Sequence, residues 1–275
     1  MAADPVSDLL PTLVDFLADA DQLLCGEQGR WAAGEDLLPS PDSPLDLLLR
    51  IRTEAMHTFH ALLRVTDDPM AAPAAPILVR QLLECWAHVQ WIAEGQSSTL
   101  GPTATPEQRA ICLELGMAHW LCKNLSASSN ESQYEHSKAD GEKWVKSVTA
   151  EHEQIGCACS GRDFKAVRNS FKELRDRFGM DWPLDTYIAA SAASHALMPQ
   201  RLAHQEGTGL SWGGPASLLD RQNWLARGFT CLINVYLYVI GTLHRPKVGE
   251  YDKLVAAAQT EVSRTNRVVV ASMER

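Results

Sequence analysis

The sequence predicts an all-α protein, a single multi-helix bundle of about eight or nine helices, and three observations carry that expectation. Apolar residues recur at helical spacing in nearly every segment. Ser-Pro, Thr-Pro and glycine stand where those segments start and stop, as helix caps do. No region shows the dense two-residue alternation of strands, and no repeat or low-complexity linker divides the chain.

Taken in order, a first helix is expected from about Val6 to Leu24, with Pro11 tolerated near its start. A Gly- and Pro-rich connection, Cys25 to Pro44, leads to Ser43 as N-cap and Pro44 at the first position of "LDLLLRIRTEAMHTFHALLRV". That helix should stop at Asp67-Asp68-Pro69. The next, "APILVRQLLECWAHVQWIAEG", ends on Gly95, which accepts a left-handed conformation without steric cost. Thr105 and Pro106 then open "TPEQRAICLELGMAHWLCKNL" as cap and first residue. The polar break "SASSNESQ" precedes a charged helix running to about Glu153. "DFKAVRNSFKELRDRFG" places Phe164, Val167, Phe171 and Leu174 on one stripe. A helix after Trp182-Pro183 is followed by the glycine-rich stretch from Pro199 to Ser217, an ordered loop or a lid. Two helices close the chain, about Ser217 to His244 and about Tyr251 to Met273. The organisation expected is one domain: an N-terminal helix and linker over 1–43, a bundle core over 44–245 and a C-terminal helix over 246–275.

Composition narrows the function classes. The 275 residues are 45% hydrophobic and 21% charged, a globular balance, with a formal net charge of −9 and no acidic tail. Such a chain has no general attraction to phosphate backbones or anionic lipid, so nucleic acid and membrane surfaces are not expected partners. Seven cysteines, and a start without a basic segment followed by an apolar run, predict reduced thiols in the cytoplasm. The longest apolar run, Gly228 to Gly241, falls short of the roughly 20 residues of a membrane span and contains Asn234; it reads as a core helix.

Polar residues at helical spacing inside apolar helices are the strongest pointer to a site. Arg80, Glu84 and His88 recur every four residues in a helix apolar over most of its circumference, so it should be central and its polar stripe partly buried. A desolvated charge needs a partner. Tyr187, Ser191 and His195 form a second four-residue series on an alanine-rich helix, and the two series are expected to face each other across the core. The result is either a satisfied network that fixes helix register or a small-ligand site in which His195 or His88 acts as acid, base or ligand.

The segment "LVRQLLECWAHVQWIAEG", then Arg109, then "YIAASAASH" resembles a bacterial all-helical family of unknown function. Its pattern is an Arg-x3-Glu helix with a following tryptophan, here Arg80, Glu84 and Trp91, and a Tyr-x3-Ser-x3-His helix, here Tyr187, Ser191 and His195. Ala190 stands where a larger apolar residue is usual, and the resemblance spans roughly Leu45 to Leu243. In helical layout this family is similar, distantly, to the HEPN group of nucleotide-handling and RNA-cleaving bundles. That similarity implies an alternative function: a metal-independent ribonuclease in stress or phage defence, with Arg52 and His57 as catalytic candidates and His195 in reserve. Thr53 follows Arg52 where the group favours Asn, Asp or His, and the pair lies earlier in the chain than usual.

Other constellations are weaker. Glu54 and His57 make one Glu-x-x-His unit of a di-iron bundle, and the second is missing. Cys112, His119 and Cys122 share a helix face, but buried cysteines acting as small hydrophobes explain them more simply than zinc. No Gly-rich phosphate loop or nucleophile elbow occurs, so neither cofactor nor metal is expected. A homodimer through the first and last helices and a small-molecule ligand are the partners the sequence allows.

Overall fold

The structure, a computed structural model, describes residues 15, 43–94, 104–127, 133–155, 171, 176, 182–194, 218–243, 253, 256–257 and 260. Among the described residues there are six α-helices and no strand, so the protein is all-α. The flanking expectations at 6–24 and 251–273 fall outside the described residues except for helical, exposed positions such as Asp15 and Lys253. Gly95 and the glycine-rich stretch also lie outside them.

Helix α1 (Asp46–Asp67) starts two residues later than Ser43-Pro44 suggests. Ser43 Oγ accepts the Leu45 amide at 3.3 Å, and the amides of Asp46, Leu47 and Leu48 each bond three residues back. A tight serine turn thus feeds the helix, with Pro44 inside the turn rather than at the first helical position. The helix stops at Asp68, which is extended (φ −97°, ψ 113°) because the ring of Pro69 disfavours helical backbone before it. Asp68 Oδ1 then accepts the Met70 amide at 2.8 Å, and a 3-10 turn over Ala72–Ala74 reverses the chain.

Helix α2 (Ala75–Glu94) follows directly and is central, touching α1 and all three helices α3 (Pro106–Ala127), α5 (Trp182–Ser194) and α6 (Leu218–Leu243). Its apolar circumference is the reason: Val79, Leu82, Leu83, Trp86, Val89 and Ile92 are buried on several sides at once. Arg109, 7% exposed, closes its C-terminus. The guanidinium donates to the carbonyls of Ile92 (2.6 Å), Ala93 (2.8 Å) and Ala104 (2.6 Å), supplying the partners that a helix end otherwise lacks. Helix α3 itself begins with the reciprocal cap its sequence spells: Thr105 Oγ1 accepts the Gln108 amide, and Gln108 Oε1 accepts the Thr105 amide.

Helix α4 (Gln133–Ile155) lies along α3, where Ile111, Leu115, Val148 and Trp144 form a small satellite core. Glu114, 7% exposed, ties this pair back to α1: Arg50 Nη2 reaches both its oxygens at 3.1 Å, and Trp144 Nε1 donates at 3.2 Å.

Helix α6 runs antiparallel to α1. Arg221 donates to the carbonyls of Thr66 and Asp67 at the end of α1, the Phe59 and Phe229 rings sit 6.0 Å apart, and Arg52 lies over the Tyr236 ring. Gly228 sits against Leu62 and Leu82, and its missing side chain lets α6 approach α1 and α2 closely. Asn234, Thr230 and Thr242 bond carbonyls four residues back in their own helix, so their polar atoms are satisfied locally. Residues Arg221–Leu243 are long and apolar enough to cross a membrane, yet 67% of that window is buried inside the fold, as in a core helix. Cys85 and Cys231 are free thiols in this core, whereas Cys112 is disulfide-bonded, which departs from the expectation that the thiols are reduced.

Candidate functional site: the polar junction of α2, α5 and α6

The polar stripe of α2 is half-buried. Arg80 Nε donates to Glu84 Oε1 at 2.9 Å, and the two side chains keep 25% and 33% of their surface exposed. His88, the third member, has Nε2 sealed from solvent, and burial pulls its pKa down to about 4. Its imidazole is therefore neutral at physiological pH. Between these turns Cys85 points into the core, where burial first, and then the carboxylates of Glu54 and Glu84, push its thiol up to about 12. Burial first, then Cys85, also raises Cys231 well above the usual thiol range. Neither is a nucleophile at neutral pH.

Helix α5 supplies the second set. It packs against α2, and its Ala190 is fully buried. Tyr187 is flanked on two sides, by the Phe171 ring at 5.2 Å and by the Arg80 guanidinium 5.4 Å from its ring centroid. Ser191, one turn on, is half-buried with Oγ sealed from solvent. Arg80, Glu84 and Tyr187 are thus brought together. His195 lies outside the described residues.

Sequence reasoning missed Arg227. It sits mid-way along α6 and is half-buried, with Nε donating to Asn223 Oδ1 (3.0 Å) and Nη1 to Thr186 Oγ1 (2.6 Å). Its guanidinium carbon lies over the Trp224 ring, 5.4 Å from the centroid. Burial lowers its pKa below the usual arginine range. The signal was present: Arg227 is the one charged residue between Arg221 and Leu243.

The ribonuclease candidates are arranged differently. Arg52 is half-buried against Tyr236, 5.7 Å from its ring centroid, whereas His57 is exposed. Five helical residues separate their directions by about 140° around the axis, so one copy of the chain does not bring them together. Among the described residues, no three His, Cys, Asp or Glu side chains gather as a metal site.

No protein-family model, no curated protein and no solved structure matches this chain.

Proposed function

We propose that this protein is a ligand-binding helical bundle of about eight or nine helices, whose polar centre on α2 and α5 takes a small molecule. Helical positions beyond the six helices, among them Asp15 and Lys253, support the larger count. The observation that carries the binding reading is the meeting of Arg80 with Tyr187. An ion pair and a phenol from separate helices are held together, yet a quarter to a third of the Arg80 and Glu84 side chains remains open to solute. Enclosing an ion pair completely costs desolvation, whereas a pair left partly in water keeps charged surface within reach of a solute.

A thermal-shift panel of small polar metabolites tests this on the wild type and on Tyr187→Phe. A compound that stabilises the wild type and loses that effect in the variant supports the reading. A panel without any shift removes it. The ribonuclease reading needs a second copy of the chain to carry a histidine to Arg52, and RNA left intact by stoichiometric protein excludes it.

A further inference from the structure

We propose that Arg227, framed by Thr186, Asn223 and Trp224, is the anchor of an anion-binding site for the carboxylate or phosphate group of a small molecule. The proposal goes beyond the reading above and uses none of its residues.

Four other arginines show how this fold compensates a guanidinium. Arg50 has the carboxylates of Asp46 and Glu114, and Arg80 has Glu84. Arg109 and Arg221 sit on the C-terminal carbonyls of α2 and α1, the negative ends of those helices. Arg227 has neither kind of partner. It is mid-helix, away from any dipole end of α6, and both of its hydrogen-bond acceptors are neutral. Among the described residues no carboxylate lies within ion-pair distance of it. Asp185, exposed on the first turn of α5, acts on it only through the longer-range field. A half-buried cation held on neutral groups retains a full positive charge to be met.

The frame also fixes how the charge is presented. Asn223 and Thr186 occupy Nε and Nη1, and the guanidinium carbon lies over the Trp224 ring. Nη2 has no acceptor among the described residues, so its two N–H groups and the second N–H of Nη1 remain as donors at the outer end of the guanidinium. A planar fork held in this way suits the paired oxygens of a carboxylate or phosphate.

Trp224 makes the test local, because an anion on Arg227 alters the indole beneath it. The full-length protein is titrated with inorganic phosphate, acetate and, as control, chloride, while the Trp224 indole N–H resonance is followed, assigned through Trp224→Phe. A saturable shift with phosphate or acetate and not with chloride is expected, weakened at least about tenfold in Arg227→Gln. Asp185→Asn, a change at an exposed position, should tighten binding by removing a like charge, and it keeps the test decisive should Arg227→Gln not fold. No saturable shift in the wild type, an unchanged titration in Arg227→Gln, or an unchanged affinity in Asp185→Asn overturns the proposal.

Discussion

Replacing Glu84 with Gln removes the charge opposite Arg80 while keeping an acceptor of the same shape. The cost follows from exposure. A fully exposed pair contributes about 0.2–1 kcal/mol, and breaking a buried one costs about 3–5 kcal/mol. With 25% and 33% of the two side chains in water, this pair belongs between those limits. A loss of about 1–2 kcal/mol is expected, a fall in Tm of a few degrees for a chain of this size. Urea unfolding of Glu84→Gln, Arg80→Met and the double variant isolates the coupling between them, expected at about 1 kcal/mol and reduced in high salt. A loss of 4 kcal/mol or more, on the order of a buried pair, would mean the pair is a sealed structural element and not an open one. Zero coupling would mean that the 2.9 Å contact contributes nothing to the fold.

Three other changes test the scaffold. Arg109→Met strands the carbonyls of Ile92, Ala93 and Ala104 and should cost about 3–5 kcal/mol in urea unfolding, with the helical circular dichroism signal reduced. Gly228→Ala should gain about 1 kcal/mol of helix propensity and lose more to overpacking against the fully buried Leu62 and Leu82, for a net loss of about 1 kcal/mol by thermal unfolding. His88, with a folded pKa of about 4 against 6.5 when unfolded, costs nothing above pH 6.5. As pH falls toward 4 the unfolded chain binds the proton preferentially, so stability should drop by up to about 3 kcal/mol. Urea unfolding at neutral and acidic pH should show that part of the decline disappearing in His88→Gln.

Local structure was legible where one segment carries the whole physical reason. The Thr105–Gln108 cap, the break at Asp68-Pro69 and the central position of α2 all follow from residues a few positions apart. Ser43 was displaced because serine before proline also closes a turn, and composition alone does not choose between a turn and a cap. Partners on other helices were harder. Helical spacing says which residues share a face, not which face meets which neighbour. Nothing in the spacing around Glu114 therefore announces that it anchors Arg50 and Trp144 from α1 and α4. Arg227 drew no reading from the sequence, because its partner Thr186 lies on another helix.

The central claim, that the Arg80–Glu84–Tyr187 junction receives a small molecule, is tested most directly at Tyr187 itself. With five tyrosines in the chain, ring-labelled protein gives a spectrum simple enough to assign by Tyr187→Phe. Recorded with and without the pooled metabolite panel, the Tyr187 ring signal should move and the Glu84→Gln protein should respond more weakly. A Tyr187 signal that stays fixed across the whole panel would contradict the account.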